Sequence, residues 1–292
     1  MIDIHSHVLF GLDDGARTLD DSLAMVRMAA EHGTTDLVAT PHANLAYRFE
    51  PERIAERIAQ LREAAGGALR LYTGCDFHLS FDNIRDSIDH PRKYTINHQR
   101  YLLVEFSELL IFTNMEEIFA RLREAGMTAV ITHPERNGLL RQRVEKIAAW
   151  VDEGACVQLT AQSLTGGFGR RAQDFSRELL DRRLVHVVAS DGHDCERRPP
   201  VMDKARAWLE KKYGDALAET LCVANPGAAL SGDDMYLPNA AVTFQGNPTI
   251  KACGELIAKS IAFNGNATFD NSGCSKNFGV PPPNSRVVQL VQ

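Results

Sequence analysis

The chain has 292 residues, of which 44% are hydrophobic and 24% are charged, and its formal net charge is -6. This is the composition of a globular protein with one large or two smaller domains. The negative charge and the lack of a basic run argue against nucleic acid as a partner, and no apolar run is long enough for membrane insertion. No signal peptide is evident, and six scattered cysteines without a CxxC pair are typical of reduced thiols, so we expect a cytoplasmic protein.

The first predicted element is a short buried strand at residues 1–4, which ends in His5 and His7. Residues two apart on a strand point to the same side, so both imidazoles face one way. Asp13 and Asp14 follow in a turn, and spacing alone does not choose between them. Two imidazoles near carboxylates at a strand end suit a divalent metal. A pair of ordinary surface histidines is the alternative for this motif.

The rest of the chain alternates apolar runs with segments whose apolar residues recur at helical spacing. Further strands are predicted at 36–40, 68–75, 101–106, 128–132, 155–160 and 185–190. Helices are predicted at 18–33, 51–65, 114–126, 144–153, 171–183, 200–213 and 216–224. Residues 82–99 are polar, and we expect an irregular surface excursion there. About seven repetitions of strand and helix predict an α/β fold whose parallel sheet is closed or nearly closed into a barrel.

Polar residues of metal-binding types follow the ends of these strands. A barrel of this kind has its active site where the carboxyl ends of its strands meet. The residues at those ends are His5, His7, His42, Asp76, Glu105, His133, Asp191 and His193. The remaining histidines have ordinary explanations as helix-end, solvated, packed or pocket-wall residues; they are His32, His90, His98, His186 and His78. Surface histidines would not collect at successive strand ends, so the sequence predicts a metal centre.

Five histidines and four carboxylates are too many ligands for one ion. They predict two or three divalent cations that share bridging groups, and mixed imidazole and carboxylate ligands suit Mn, Fe or Zn. Such a centre lowers the pKa of a bound water and holds a phosphoryl group for in-line attack. Arg136 and Arg198 directly follow two of the ligand motifs and are candidates for binding phosphate oxygens, with surface salt bridges as the alternative. Cys75 lacks the basic surroundings of a nucleophile.

Six motifs in this order resemble the PHP (polymerase and histidinol phosphatase) superfamily: HSHVLFGLDDGA, TPH, GCD, VEF, HPERN and SDGH with RRPP. Within that superfamily, they resemble the bacterial metal-dependent protein-tyrosine phosphatases of the capsular polysaccharide type. The similarity runs from residue 1 to residue 230 or so. It implies a distorted TIM-like (β/α)7 barrel of PHP type, which we assign to residues 1–237 as a phosphoesterase domain.

Carried over residue by residue, the resemblance implies three metal ions. The ligands of the first would be His5, His7, Asp76 and Asp191. The second would share Asp76 and add Glu105 and His133. The ligands of the third would be Asp14, His42 and His193. Arg136 and Arg198 match the family's phosphate-binding arginines. Position 76 departs from the family pattern, with Asp in place of Glu, and the shorter side chain could weaken the bridge or shift the metal preference.

The resemblance also implies an activity. The family usually depends on manganese and dephosphorylates the tyrosine-rich tails of bacterial tyrosine kinases, so the implied partner is a phosphotyrosine protein and the implied process is capsule or exopolysaccharide regulation. Two alternatives stay open. One is a small-molecule phosphatase of the histidinol-phosphate or nucleotide type. The other is a scaffold or binding module in an export complex, with an impaired site.

Residues 238–292 differ in composition from the rest, because charges are sparse and Asn, Gly, Thr and Ser are frequent. The segments AVTFQGN and SIAFNGN resemble two turns of one short repeat, which is typical of β-solenoid corners or of hairpin turns. We predict a short β-rich or irregular tail there and derive no function for it.

Overall fold

The computed structural model describes residues 1–235 and, beyond them, the backbone of four short strands. The chain divides into two compact units, Met1–Tyr236 and Leu237–Gln292. Among the described residues, no helix combines the length and the apolar composition that crossing a bilayer requires.

The first unit alternates strands and helices along the chain, as the hydrophobic pattern predicts. Its strands are β1 (Ile2–Ser6), β2 (Asp36–Ala39), β3 (His42–Ala43), β4 (Arg70–Thr73), β5 (Asp76–His78), β6 (Tyr101–Glu105), β7 (Thr128–Thr132), β8 (Cys156–Thr160) and β9 (Val187–Ala189). Its α-helices are α1 (Leu19–Glu31), α2 (Pro51–Ala65), α3 (Phe81–Asp89), α4 (Met115–Glu124), α5 (Val144–Asp152), α6 (Ala161–Leu164), α7 (Gly169–Asp181), α8 (Asp203–Tyr213), α9 (Asp215–Glu219) and α10 (Asn225–Ser231). Single turns of tighter or wider helix lie at Ile96–His98, Leu140–Gln142 and Thr220–Ala224.

The strands form two parallel sheets, in the orders β1-β2-β4 and β3-β5-β6-β7-β8-β9. An isolated parallel bridge between Ser6 and Gly192 connects β1 to the segment after β9. The α/β fold with parallel pairing is thus confirmed, but the barrel is not closed by one continuous ladder. Two of the seven predicted strands, 36–40 and 68–75, are each followed by a second, short strand that was not predicted: Pro41, which lacks an N–H, separates β2 from β3, and Gly74 lies between β4 and β5.

Most of the strands are buried on both faces, because helices cover the outside of the sheets. All four residues of β2 and all five of β8 are buried. The helices are amphipathic: α2, for example, buries Ile54, Ile58 and Leu61, begins with Pro51 and ends at Gly66 in the left-handed conformation. Each fully buried aliphatic side chain stabilises the fold by roughly 1.5–3 kcal/mol relative to an exposed one. This packing makes a rigid frame for the strand ends.

The prediction of an irregular excursion over residues 82–99 is wrong for residues 82–89, while the bends and turns of residues 90–99 are irregular as predicted. The first half of this segment is α3, whose N-terminus is capped by the Ser80 hydroxyl, which accepts a hydrogen bond from the Asn83 N–H at 3.2 Å. Ile84 and Ile88 are four residues apart on one side of the helix, and Pro91 follows its end. The helix-capping serine, the spacing of the two isoleucines and the proline together indicate a helix, although the segment is polar in composition.

Four strands of the second unit pair in parallel: β10 (Ala241–Gln245) with β12 (Ser260–Asn264), and β11 (Thr249–Lys251) with β13 (Thr268–Asp270). Ala241 pairs with Ser260 and Thr249 with Thr268, so both partners lie 19 residues further along the chain. The prediction of a β-rich tail holds for these strands. Parallel pairing at a constant offset agrees with the solenoid alternative and not with hairpins, whose strands are antiparallel.

Candidate metal centre

All nine residues that the sequence nominates as ligands converge where the strands end. They form what we call the metal cluster: His5, His7, Asp14, His42, Asp76, Glu105, His133, Asp191 and His193. Each residue lies on a strand or on the segment that follows one. The side chains come from positions up to 188 residues apart, and the parallel sheets bring them to one edge.

The cluster contains four groups whose ligand atoms lie within 4.8 Å of one another. The groups are His7, Asp14, His42 and His193; His5, His7 and Asp76; His5, His133 and Asp191; and His42, Asp76 and Glu105. They overlap through shared residues, as in a multinuclear site with bridging ligands. The grouping differs from the sets that the resemblance implies. His133 lies with His5 and Asp191 rather than with Glu105, and His42 takes its place beside Asp76 and Glu105. His7 also lies with the Asp14 group.

Unpaired polar atoms are the strongest evidence that the cluster suits cations. Seven buried ring-nitrogen and carboxylate-oxygen atoms of the cluster have no hydrogen-bond partner among the described residues. They belong to His5, His7, His42, Asp76, Asp191 and His193. Leaving a buried polar atom unpaired costs about 1–3 kcal/mol, so folded chains rarely gather several in one place. Imidazole nitrogens and carboxylate oxygens are the donor set that Mn, Fe and Zn accept, and the residues present therefore fit divalent metal ions.

The carboxylates make the site strongly anionic. Burial would raise the pKa of Asp76 and Asp191, but the charge of the nearby His5 helps to hold both well below the usual range. Burial likewise opposes protonation of His5, yet Asp191 and Asp76 raise its pKa from 6.5 to about 9. Against burial, hydrogen bonds with Asp14 and Asp76 raise the pKa of His42 to about 11. Cations and protons therefore compete for these two imidazoles.

Two other histidines of the cluster, His133 and His193, are neutral. Burial and the charge of Arg136 lower the pKa of His133 from 6.5 to about 3. Burial and the neighbouring His7 lower the pKa of His193 to about 4. Both rings are thus unprotonated at neutral pH and have a free lone pair, which is the form that binds a metal.

Asp76 reaches both sides of the cluster despite its short side chain. It is completely buried, and neither carboxylate oxygen has a hydrogen-bond partner among the described residues. Its Oδ2 lies 3.5 Å from Nε2 of His5 and 3.2 Å from Nδ1 of His42. It belongs to two of the four groups, as a bridging ligand would. The geometry therefore gives no sign of an impaired bridge at this position.

The two neighbouring aspartates face different atoms. Asp14 Oδ1 lies 3.4 Å from Nε2 of His42 and 3.5 Å from Nε2 of His193, inside the cluster. Asp13 lies behind the cluster, with Oδ2 at 2.6 Å from Nδ1 of His7. Asp14 is therefore the ligand candidate, and Asp13 contacts the side of the His7 ring that faces away from the cluster.

Arg136 and Arg198 border the cluster on one side. Both guanidinium groups donate to the same oxygen of Asp191, Oδ2, while Oδ1 remains without a hydrogen bond among the described residues. The guanidinium carbon of Arg136 lies 4.4 Å from the centroid of the Phe168 ring, which fixes its plane. The buried Nε of Arg198 has no partner in the part of the chain that the structure describes. These are the features of a site for an oxyanion next to the cations.

Two glycines let the chain approach the cluster closely. A Cβ atom at Gly15 would lie 2.0 Å from the carbonyl oxygen of His7, and one at Gly192 would lie 2.7 Å from Cα of Pro200. Real Cβ atoms do not come so close to backbone. The segments on both sides of the cluster are therefore packed directly against neighbouring backbone.

The residues that sequence reasoning set aside lie outside the cluster. His90 and His98 are exposed, His32 pairs with Asp203 at 2.8 Å, and His186 is packed in the core. Nδ1 of His78 lies 3.4 Å from Glu105, at the edge of the site. Cys75 is buried, and burial with nearby negative charge raises its pKa well above the usual value, so it is no nucleophile.

Sequence reasoning missed two residues that support the site, Gln158 and Phe168, and considered a third, Asp13, only as an alternative metal ligand. Gln158 contacts His5 at 2.9 Å, Phe168 stacks on Arg136, and Asp13 holds His7. Gln158 lies on β8, a strand without a ligand candidate, so only its polar side chain inside an apolar strand could have drawn attention. Phe168 has no such signal.

Comparison with known proteins gives consistent results. The family model described as "Capsular polysaccharide synthesis, CpsB/CapC" matches residues 1–231. The tyrosine-protein phosphatase YwqE of Bacillus subtilis is 34% identical over 221 residues, which cover 74% of this chain and 87% of that protein. The tyrosine-protein phosphatase CpsB of Streptococcus pneumoniae is 32% identical over 235 residues, covering 77% of this chain and 96% of that protein.

A solved structure is also similar. It comes from work on YwqE of Bacillus subtilis and CpsB of Streptococcus pneumoniae, which are described there as unique metal-dependent tyrosine phosphatases. The superposition has a TM-score of 0.76 at 32% sequence identity and covers 81% of this chain and 96% of the other.

Proposed function

We propose that this chain, which belongs to the CpsB/CapC family of capsular polysaccharide synthesis proteins, is a metal-dependent protein-tyrosine phosphatase. The observation that carries the proposal is the convergence of seven unpaired, buried ligand atoms beside two arginines. The similarity to YwqE and CpsB, which are named tyrosine-protein phosphatases, supports the same activity.

The metal cluster would hold two or three divalent cations, and Mn²⁺ is our first choice, with Fe or Zn as alternatives. When bound, such cations lower the pKa of a water to generate the nucleophile and neutralise charge on the phosphoryl group. Arg136 and Arg198 bind and orient the phosphate oxygens, which would satisfy the unpaired Nε of Arg198. Asp191 keeps both guanidinium groups turned toward the cluster. A tyrosine phenolate is a fair leaving group, so strong general-acid help is not essential.

The surroundings of the site favour a protein substrate over a small metabolite. The large apolar side chains that are exposed in the described part of the chain are Leu45, Phe81, Leu109 and Leu110. All four lie just after β3, β5 or β6, the strands that carry His42, Asp76 and Glu105. Exposed apolar groups gathered at one face are typical of protein-binding surfaces.

Hydrogen bonds join these three segments into one rim. The Asn83 side chain donates to the carbonyl of Ala43 at 2.8 Å and to that of His78 at 2.9 Å. The Leu79 N–H donates to the carbonyl of Glu105 at 3.0 Å. A polypeptide that presents a phosphotyrosine to the cluster would pass over this rim, whereas histidinol phosphate or a nucleotide would not need it.

Partner and process follow from the family. We infer that the substrate is a phosphotyrosine protein, and a tyrosine kinase of a polysaccharide export system is the partner that the resemblance implies. A cytoplasmic location remains a prediction from the scattered cysteines; the four in the described part, Cys75, Cys156, Cys195 and Cys222, are free. The alternative of an impaired scaffold has no support in the geometry, since Asp76 reaches both neighbouring groups.

The proposal is tested with the full chain, added Mn²⁺ and a panel of phosphate esters. We expect turnover of a phosphotyrosine peptide and of p-nitrophenyl phosphate, abolished by a chelator and restored by excess Mn²⁺. Histidinol phosphate or a nucleotide as the far better substrate would favour the small-molecule alternative. No metal-dependent turnover of any ester would favour the scaffold.

A further inference from the structure

Two buried side chains behind the metal cluster each hold one of its histidines. Gln158 Oε1 lies 2.9 Å from Nδ1 of His5, and Asp13 Oδ2 lies 2.6 Å from Nδ1 of His7. Gln158 is 0% exposed, and the side chain of Asp13 is 1% exposed. In both rings the other nitrogen, Nε2, faces the cluster and has no hydrogen-bond partner among the described residues.

We propose that Asp13 and Gln158 are positioning residues that keep the proton of His7 and of His5 on Nδ1, so that Nε2 offers its lone pair to a cation. A neutral imidazole has a single N–H, and an ionised carboxylate or a carbonyl oxygen can only accept a hydrogen bond. An acceptor at Nδ1 therefore selects the tautomer and fixes the ring orientation. This inference rests on the metal site of the proposed function but concerns residues outside the ligand set.

The amide of Gln158 shows how specific the arrangement must be. If its NH₂ group faced Nδ1 of His5 instead, the ring would have to accept there and keep its proton on Nε2, where no cation could bind. In the observed orientation, the carbonyl oxygen faces the ring, and the amide nitrogen is left without a partner among the described residues. Ligation by His5 requires this orientation.

Asp13 is itself held by the backbone around the cluster. Its Oδ2 accepts from the N–H of His42 at 3.1 Å, and its Oδ1 accepts from the N–H of Gly15 at 3.0 Å. Its negative charge is therefore fixed behind His7, whereas the group behind His5 is neutral. A carboxylate increases the basicity of a ligating imidazole more than an amide does. We expect His7 to be the stronger ligand of the two.

Reciprocal substitutions test this inference through metal affinity rather than turnover. Asp13→Asn removes the charge behind His7, Gln158→Met removes the acceptor behind His5, and Gln158→Glu places a charge there. We would titrate the full chain, freed of cations by a chelator, with Mn²⁺ in a calorimeter. Asp20→Asn and Gln142→Met are matched controls, because both residues are exposed and neither belongs to the cluster.

We expect Asp13→Asn and Gln158→Met each to weaken Mn²⁺ binding roughly 10- to 100-fold, and the controls to bind normally. Gln158→Glu should recover the affinity that Gln158→Met loses. Normal affinity in both variants, or a Glu variant as weak as the Met variant, would overturn the proposal. A purely structural role would lower the melting temperature of the metal-free chain and leave the affinity unchanged.

Nitrogen NMR of the unmodified chain gives a second test that does not depend on variants folding. With diamagnetic Zn²⁺ bound, the ¹⁵N shifts of His5 and His7 should report an Nδ1–H tautomer, and a proton on Nε2 of either ring would refute the inference. The two proposals fail separately. Metal binding with the expected losses but no phosphatase turnover would remove only the proposed function, and turnover with unaltered affinity in the variants would remove only this inference.

Discussion

The two ends of the parallel strands differ in the hydrogen bonding of their buried polar groups. At the carboxyl ends, seven buried ligand atoms point at one another without partners among the described residues. At the amino ends, by contrast, two of the largest buried polar side chains are paired: His186 Nδ1 accepts from the Val157 N–H at 3.0 Å, and the Tyr101 hydroxyl donates to the Asp233 carbonyl at 2.9 Å. His186 and Tyr101 are as buried as the ligands, so burial does not separate the two ends.

The difference indicates what each end does. A paired buried group stabilises the fold modestly, by about 0.5–1.5 kcal/mol, and needs no further binding partner. A set of unpaired groups destabilises the fold unless something else binds to them. Substitutions at the carboxyl ends should therefore change activity and metal binding, while substitutions at the amino ends should change stability and leave turnover intact.

The largest effect is expected for the double substitution His5→Ala/His7→Ala. It removes two imidazoles that contribute to three of the four ligand groups. Turnover of p-nitrophenyl phosphate with Mn²⁺ should fall roughly 10⁴-fold, because cations supply several kcal/mol of transition-state stabilisation. Thermal unfolding in chelator should show a fold that is no less stable. His90→Ala, at an exposed histidine, is the control, and full turnover in the double variant would contradict the assignment.

Arg136→Ala should lower kcat/KM for a phosphotyrosine peptide roughly 10²- to 10³-fold, the loss that follows removal of one preorganised donor to a transition state. Mn²⁺ binding, measured by calorimetry, should persist, because Asp191 and the other ligands remain. Arg171→Ala removes an exposed arginine and serves as the control. A variant that loses Mn²⁺ together with turnover would show that Arg136 acts through Asp191 instead of on the phosphate.

His186 at the amino end should make the fold sensitive to acid. Burial lowers its pKa from 6.5 to about 4. Above pH 6.5 the His186 ring is neutral in both the folded and the unfolded chain, so it does not change the free energy of unfolding. As the pH falls from 6.5 toward 4, the ring gains a proton only in the unfolded chain, and the free energy of unfolding decreases. The loss is on the order of 3 kcal/mol at 1.36 kcal/mol per pKa unit.

Denaturant unfolding in chelator at several pH values checks this, with His186→Asn for comparison. Asn can still accept from the Val157 N–H but does not titrate. The variant should lose less stability than the wild type between pH 6.5 and 4. Equal losses would show that His186 does not cause the acid sensitivity.

The smallest effect is expected for Tyr101→Phe. It removes a hydroxyl that donates to the Asp233 carbonyl and accepts from the Met235 N–H at 3.0 Å. The free energy of unfolding should fall by about 1 kcal/mol. Specific activity with Mn²⁺ should equal that of the wild type. A clear loss of activity would contradict the view that the amino ends of the strands serve stability alone.

Local patterns were enough to predict the alternation of strands and helices and the residues at the strand ends. His42, Asp76 and His133 could be found because parallel strands deliver their carboxyl ends to one edge whatever the details of packing. The break between β2 and β3 also has a signal in the sequence, since Pro41 cannot donate to a ladder. The missed helix α3 had its signals in Ser80, Ile84 and Ile88, within a segment too polar to suggest it.

What could not be predicted depends on contacts between distant segments. Whether Asp13 or Asp14 faces the cluster is decided by the turn after β1 packing against β3, where Asp13 accepts from the His42 N–H. Gln158 contacts a residue 153 positions away, and Phe168 stacks on Arg136 across a loop. Contacts between residues so far apart in the chain leave no periodicity or spacing in the sequence from which they could be predicted.

The tight approach at Gly15 and Gly192 has a consequence for genetics. A side chain at either glycine would push on backbone that carries or adjoins ligands, with a Cβ at Gly15 only 2.0 Å from the His7 carbonyl oxygen. In a saturation mutagenesis screen for loss of phosphatase, these two positions should score as severely as the histidines themselves. The screen would then identify the active site partly through Gly15 and Gly192, which contact neither cation nor phosphate.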